Sequence, residues 1–247
     1  MLFNSYVFIF AFLPVVMLGF YLIGRSSHAL AALWVAAASM FFYGWWDVRY
    51  VGLLLGSIAF NYGSGFLIGH RVSLKTRQPK ILLAAAIVIN LMLLAYFKYA
   101  NFFVDNINHL TGSAWTLANV ILPLGISFFT FTQIAFLVDT YQGKVKEFNF
   151  VHYALFVTYF PHLIAGPVLH HAEMMPQFAR RSVCRINWDN VAVGLSIFVL
   201  GLAKKVLLAD SVADFSTPVF EAVKVGGTPM LIEAWVGALA YTLQLYF

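Results

Sequence analysis

The densest gathering of chemically capable side chains is the run Tyr159-Phe160-Pro161-His162-Leu163-Ile164-Ala165-Gly166-Pro167, followed at once by His170, His171 and Glu173. A histidine can take up or give a proton. Two prolines six residues apart remove backbone donors and restrict the residues before them, so a continuous helix here is unfavourable. The combination reads as the wall of a cavity or narrow channel beside a substrate, with Phe160, Pro161, His162, Ala165, Gly166, Pro167 and His170 as the lining residues. The competing reading is a kinked packing helix whose histidine bonds a neighbouring backbone group. No residue is assigned a catalytic role.

Other chemistry is thin. Within the His170-His171-Ala172-Glu173 cluster only His170 and Glu173 have the three-residue spacing that places two ligands on one helix face, so no metal site is expected. Ser127, in Gly125-Ile126-Ser127-Phe128-Phe129-Thr130-Phe131-Thr132-Gln133, has no Gly-x-Ser-x-Gly elbow and no evident base. Its hydroxyl and its neighbours are expected to bond their own helix or glue helices together. Asp139 is expected to be a solvated cap or to form an ion pair. Asn61, Asn90 and Lys98 read as isolated polar residues. The single cysteine, Cys184, excludes an intramolecular disulfide and a cysteine-based zinc site.

The elements that must position these residues are apolar spans. No Asp, Glu, Lys or Arg occurs from Met1 to Gly24, Tyr50 to His70, Ile81 to Phe97 or Asn119 to Val138, and about 18 apolar residues suffice to cross a bilayer as a helix. Only 10% of the 247 residues are charged and the mean hydropathy is +0.82, against about 25% charged in soluble domains. The fold class is therefore an all-α polytopic membrane protein forming a single transmembrane domain, 1–247. Spans are expected at about 3–24, 30–46, 50–69, 81–99, 119–139, 150–168, 190–209 and 230–247, the last starting near Pro229. The first lacks the basic start and small-residue cleavage site of a signal peptide and reads as a retained helix. The last apolar run reaches Leu245-Tyr246-Phe247 with no polar exit, and a longer parent sequence is expected.

Charge then orients the chain. The connections after spans one, three and five carry Arg25, Arg71, Lys75, Arg77, Lys80, Lys144 and Lys146, whereas those after spans two and four carry Arg49 and Lys98. The positive-inside rule places the first set in the cytoplasm and the amino terminus outside. The net charge of +5 is explained by this topology and by anionic lipid rather than by nucleic acid. A full crossing by 150–168 would put Arg180, Arg181 and Arg185 outside, against the rule. The segment 150–170 is accordingly expected to be broken or re-entrant, entering and leaving on the cytoplasmic side, with 172–188 an amphipathic cytoplasmic helix or loop. The residues 100–118 are expected to form a polar loop, and Asp210, Asp214 and Glu221 an acidic outer loop. Lys204 and Lys205, near the outer end of the seventh span, fit this topology poorly.

Four blocks carry a resemblance: LFNSYVFIFAFLPVVMLGFYL, SMFFYGWWDVRYVGLLLGSIAFNYGSG, LPLGISFFTFTQIAFLVDTYQG and YFPHLIAGPVLHHAEMMPQF. In this order they resemble the amino-terminal half of membrane-bound O-acyltransferases, in the bacterial alginate O-acetyltransferase-like branch related to the D-alanyl transferase of teichoic acids. The resemblance implies a ring of about seven or eight apolar helices around a thinned centre. It implies acyl transfer, by default acetyl, from a cytoplasmic-side donor (acetyl-CoA or another activated acyl group), with no tightly bound cofactor. The implied acceptor is an exported polysaccharide such as alginate, and the implied setting is the lipid of the bacterial inner membrane, with periplasmic acyltransferase partners and no nucleic acid. The family's essential histidine follows an Asp-Phe-Ser-Gly-like stretch that would begin about where Gln244-Leu245-Tyr246-Phe247 stands. None of the seven histidines here matches it, so the resemblance assigns this chain the channel walls and no catalytic histidine, and an inactive product if it stands alone. The alternatives are a transporter or flippase subunit for a polysaccharide or lipid-linked sugar, and an inert scaffold for a partner enzyme. Against the first stand the absence of paired mid-span charges and of a visible inverted repeat.

Overall fold

Three helix starts are set by side-chain caps. In the computed structural model, Ser27 Oγ accepts the Leu30 N–H (3.4 Å), Asn149 Oδ1 accepts from Val151 and His152 (2.9 and 3.3 Å), and Asn187 Oδ1 accepts from Asp189 and Asn190 (3.0 and 3.2 Å). Each satisfies helix-terminal donors that have no intrahelical partner. The structure describes residues 1–73, 79–113, 115, 120–145, 148–163, 171–178 and 180–247, without the side chains of Ala172 and Glu173. Among the described residues there is no strand. The fold is all-α, as the composition requires, and falls into two compact units.

The first unit is Ala11–Arg185 together with Met1. Its helices are α1 (Leu13–Gly24, preceded by a π turn over Phe8–Phe12), α2 (His28–Gly44), α3 (Arg49–Ser73), α4 (Pro79–Thr111), α5 (Ile126–Tyr141), α6 (Phe150–Thr158), α7 (Phe160–Leu163) and α8 (His171–Phe178), followed by a 3₁₀ turn at Arg181–Cys184. Helices α1 to α6 run alternately up and down. One end, here the near end, holds Gly24, His28, Ser73, Pro79, Tyr141 and Phe150; the far end holds Gly44, Arg49, Thr111 and Ile126. Helices α3 (25 residues) and α4 (33 residues) are long and apolar enough to cross a membrane, and Phe8–Gly24 and His28–Gly44 are shorter apolar helices.

Helix α4 runs twelve residues past the expected boundary at 99, through most of what reads as a loop. Its asparagines explain this. Asn101 Nδ2 donates to the Val120 carbonyl (3.0 Å) and Asn108 Nδ2 to the Trp115 carbonyl (2.8 Å), while Oδ1 of each accepts the N–H of the same residue (3.3 and 2.9 Å). The returning segment thus uses the helix side chains as its hydrogen-bonding partners, and the helix outlasts its apolar stripe.

Asn61 and Asn90, which the sequence presents as isolated, face each other across α3 and α4. Each amide donates to the other's Oδ1 (3.0 and 2.7 Å) and to its own helix, at Ser57 O (3.0 Å) and Ala86 O (2.8 Å). The ladder continues through Ser57 Oγ, which accepts from Gln133 Nε2 on α5 (3.1 Å), to Tyr153 Oη on α6, 3.5 Å from Gln133 Oε1. Around it pack Leu54, Ile58, Phe129, Phe136 and Phe156, all fully buried, with Phe136 and Tyr153 ring centroids 4.4 Å apart. In lipid there is little hydrophobic force between helices, so packing and such interhelical hydrogen bonds hold α3, α4, α5 and α6 together.

The second unit is Ile186–Phe247 with Leu2–Phe10. Here α9 (Trp188–Ala203), a π turn (Lys204–Ala209) and α10 (Asp210–Lys224) form one continuous helical stretch, Trp188–Lys224, long and apolar enough to cross a membrane. The expected acidic loop is therefore helix. Asp210, Asp214 and Glu221 recur at spacings of four and seven, one face of α10, while Ser216 on the other side is buried and donates to Gln244 Oε1 of α11 (Leu231–Tyr246) at 2.9 Å. A search for all-round apolar runs passes over such an amphipathic helix. Lys204 and Lys205 lie mid-stretch in the π turn rather than at a span end, and Lys205 pairs with Asp210.

Replacing Asn90 by Leu is expected to destabilise the detergent-solubilised protein by about 1 kcal/mol, because the Asn61 amide loses its partner. The Asn61→Leu/Asn90→Leu double variant should recover part of that loss. Unfolding midpoints of the four proteins give the coupling energy, and strictly additive losses would show that the pair contributes nothing.

Candidate functional site

The helical run beginning at Phe150 stops at Thr158. Tyr159 takes φ −50°, ψ 107°, outside helical space, and a single turn, α7, resumes at Phe160. Pro161 stands at the start of that new turn, where its missing N–H and fixed φ are tolerated, so the break falls two residues before the proline. The freed backbone is not left bare. The Tyr159 carbonyl accepts the N–H groups of His162 (3.0 Å) and Leu163 (3.1 Å) and lies 2.9 Å from His162 Nδ1. Since a carbonyl only accepts, Nδ1 carries a proton, and in the neutral imidazole this leaves a lone pair on Nε2. The Phe160 N–H donates to Ser39 Oγ of α2 (3.3 Å), whose own hydroxyl donates to Val35 O (2.8 Å). The Phe160 ring is wedged between Phe12 (centroids 5.2 Å) and Phe42 (5.7 Å).

The start of α5 closes on the same turn. Gly125 has φ +71°, and a Cβ there would lie 2.8 Å from the Leu163 carbonyl oxygen. Only glycine combines that left-handed conformation with so close an approach. Two fully buried hydroxyls of the unit, Tyr43 Oη on α2 and Thr130 Oγ1 on α5, have no hydrogen-bond partner among the described residues. Thr132 and Thr140 on the same helix donate back to Phe128 O and Phe136 O, so Thr130 departs from its neighbours' habit. A buried orphan hydroxyl is costly unless a guest bonds it.

Of the expected lining residues, Phe160 and His162 are buried at the break and Pro161 faces outward; Ala165, Gly166, Pro167 and His170 lie outside the described residues. Ser39, which sequence reasoning missed, is a small residue at the end of an alanine run, and only its distance to Phe160 reveals its part. Among the described residues no three His, Cys, Asp or Glu side chains gather as a metal site would require.

The near end gathers charge. His171, at the start of α8, places Nδ1 3.2 Å from Asp139 Oδ2 on α5, and Lys144 Nζ is 3.7 Å from Asp139 Oδ1. Asp139 is thus an ion-pair residue. The His28 and His152 rings meet edge to face at 6.2 Å. Cys184 packs on Gly24, where a Cβ would lie 2.7 Å from the Cys184 Cβ, and burial pushes its thiol pKa up. Phe150 and Cys184 therefore both lie at the near end: the described part of 150–184 enters the bundle, breaks, and comes back to where it started. At the opposite end Arg49 clamps Asp47 (Nη2 to Oδ2, 2.7 Å) and, with its backbone N–H, holds that carboxyl below the ordinary range.

A polytopic all-α membrane protein with a broken helix returning to its own side, its freed backbone bonded inside a polar-laddered bundle, is the class this geometry defines. Residues 80–247 match the sequence profile of the membrane-bound O-acyltransferase (MBOAT) family, and the chain belongs to that family. It is 40% identical to a peptidoglycan O-acetyltransferase of Helicobacter pylori, covering 100% of this chain and 51% of that protein. It is likewise 40% identical to a probable alginate O-acetylase of Pseudomonas aeruginosa (100% and 46%) and 39% identical to one of Azotobacter vinelandii (100% and 48%). The chain spans about half the length of the curated relatives it matches. No solved structure matches it significantly.

Gly125→Ala is expected to lower the unfolding midpoint more than Gly143→Ala. Both positions have φ +71°, but Gly143 has open space around its Cβ position, so Gly143→Ala incurs only the left-handed strain of about 1 kcal/mol and Gly125→Ala adds a clash with Leu163. Equal losses would remove the close approach as a constraint.

Proposed function

We propose that this chain forms the channel-wall half of a membrane O-acyltransferase that passes an acetyl group from a cytoplasmic-side donor to an exported polysaccharide. The observation that carries the proposal is the α6–α7 break: a buried, non-helical backbone held by Ser39 and His162 in a member of an acyltransferase family. Non-helical backbone at membrane depth survives only where protein or an aqueous cavity surrounds it, and a transfer path needs such a place. The near end, with Arg25, Arg71, Lys80, Lys144, Arg180, Arg181 and Arg185, is taken as cytoplasmic, and the far end, with Arg49 and Lys98, as periplasmic.

In this account the chain orients and excludes. Phe12, Phe42 and Phe160 keep water from the activated acyl group. The His162 Nε2 lone pair can accept from the acceptor hydroxyl, and the Tyr43 and Thr130 hydroxyls can donate to the acyl carbonyl. The base that deprotonates the acceptor is assigned to a histidine elsewhere in the longer protein, and the acceptor to an alginate-like polysaccharide, as the names of the relatives suggest.

The test is acetyl-ester content of extracellular polysaccharide and of peptidoglycan from a deletion strain complemented with the full-length gene. Restored acetyl groups on the extracellular polymer support the proposal. Normal acetylation with lost polymer export would point to a transporter instead. Ser39→Ala, which removes the acceptor of the Phe160 N–H, is expected to reduce acetylation about ten- to hundredfold through misplacement of the α7 turn while the protein still accumulates in the membrane.

Sidedness has its own check. In a Cys184→Ser background, Arg181→Cys should react with an impermeant maleimide only after the inner membrane is opened, and Val48→Cys, 76% exposed between Asp47 and Arg49, should react in intact spheroplasts. The reverse pattern inverts the topology.

A further inference from the structure

Arginines from two distant segments converge at the near end of the first unit. The 3₁₀ turn Arg181–Cys184 packs on the end of α1, where a Cβ on Gly24 would lie 3.6 Å from the Cys184 Cα. The Gly24 and Cys184 Cα atoms are therefore no more than about 5 Å apart, and those of their neighbours Arg25 and Arg185 no more than about 13 Å. Arg180 and Arg181 stand at the start of the same turn. All of these arginines are exposed, and among the described residues none of their guanidinium groups has an ion-pair or hydrogen-bond partner. The described carboxylates of the first unit are engaged or distant: Asp47 and Asp105 belong to the far end, and Asp139 is held by His171 and Lys144. The positive-inside rule accounts for the side on which these residues lie. It does not account for their convergence on one corner, and such a patch of one sign concentrates anions. The corner also stands at the foot of the broken helix. His28, three residues after Arg25, meets His152 in the first turn of α6, and from His152 the chain climbs roughly 10 Å to the break at Tyr159.

We propose that this corner, Arg25 with Arg180, Arg181 and Arg185, binds the phosphate groups of a nucleotide-bearing acyl donor. The inference rests on the acyltransferase reading above and adds to it a place where the donor docks. Guanidinium groups suit phosphates because their donors form a planar fork that meets two oxygens at once. Several guanidiniums without carboxylates suit a ligand with several phosphates better than one with a single carboxylate. The position suits it too. A donor held by its phosphates at the foot of α6 leaves an extended thioester arm about two helical turns to cover before its acyl carbon reaches the break. The arginines hold the donor and take no part in the chemistry.

Calorimetric titration of the full-length protein, in phosphatidylcholine nanodiscs, with coenzyme A, dephospho-coenzyme A and pantetheine tests it. Coenzyme A should bind most tightly, dephospho-coenzyme A less so, and pantetheine, which has no phosphate, weakest of all. Added salt should narrow the differences. Arg181→Gln and Arg185→Gln should each weaken coenzyme A about fivefold, the factor expected from one basic residue beside a phosphate, and leave pantetheine unchanged. Arg181→Lys should lose less than Arg181→Gln. Lys80→Gln, at the same end of the bundle, should change nothing. Unchanged unfolding midpoints, expected for exposed side chains, separate loss of binding from loss of fold. No coenzyme A binding by the wild type, or unchanged affinity in the Arg181→Gln/Arg185→Gln double variant, overturns the site. An equal loss in Lys80→Gln overturns it as well, because the charge would then act as a diffuse field. If phosphatidylglycerol is retained through these arginines while coenzyme A is not bound, the corner is a lipid headgroup site instead. Because the readout is binding, the two readings fail separately. Coenzyme A bound through the arginines without polymer acetylation in the complemented strain sinks acyl transfer and keeps the site, and acetylation without such binding does the reverse.

Discussion

A backbone that leaves helical geometry inside a membrane must find every lost hydrogen-bond partner within the protein. The break at Tyr159 obeys this requirement, and much of the first unit is arranged around it. The Tyr159 carbonyl collects donors from the following turn, Ser39 supplies an acceptor from α2, and Gly125 lets α5 begin against Leu163 without a side chain between. Three helices distant in sequence thereby meet at one turn. The polar ladder from Tyr153 through Gln133 and Ser57 to Asn61 and Asn90 then ties α6 back to α3, α4 and α5. A helix broken without such anchorage would be expelled or refolded.

The near end solves the complementary problem of bringing the chain back. Asp139 meets His171, Gly24 meets Cys184, and His28 meets His152. These contacts join the last turn of α5, the α1–α2 connection, the start of α6 and the start of α8. They include the Asp139 ion pairs, as suits a boundary with water, whereas the contacts at the break are hydrogen bonds around a freed backbone and aromatic packing. The distribution of chemistry along the bundle thus follows the dielectric it sits in.

The long apolar helices and a break within 150–170 were legible because each rests on local features: charge-free runs and paired prolines; residues 164–170 of that element lie outside the described residues. The break's location was not, because Pro161 tolerates a helix start and the conformational change is taken by Tyr159. The extension of α4 was hidden because Asn101 and Asn108, turn-formers in isolation, spend their amides on a segment up to 19 residues away. The helix α10 was hidden by the acids on one of its faces. The Asn61–Asn90 pairing was illegible in principle, since nothing in either residue's neighbourhood names its partner across 29 positions. The buried hydroxyl of Tyr43 carries no sequence signal, and Thr130 reads in the sequence like its helix-bonding neighbours on α5, from which the structure distinguishes it.

The 33-residue helix α4 has one further property. At about 1.5 Å per residue it measures roughly 50 Å, against about 30 Å of hydrocarbon and 40–45 Å with both headgroup layers. Its charge-free stretch stops at Phe97, and the remaining turns carry Lys98, Asn101, Asp105, Asn106, Asn108 and His109. Those turns stand above the lipid as a rigid post, braced by the returning segment. A helix of this length both crosses a bilayer and rises past its headgroups, so one element supplies anchorage and height together.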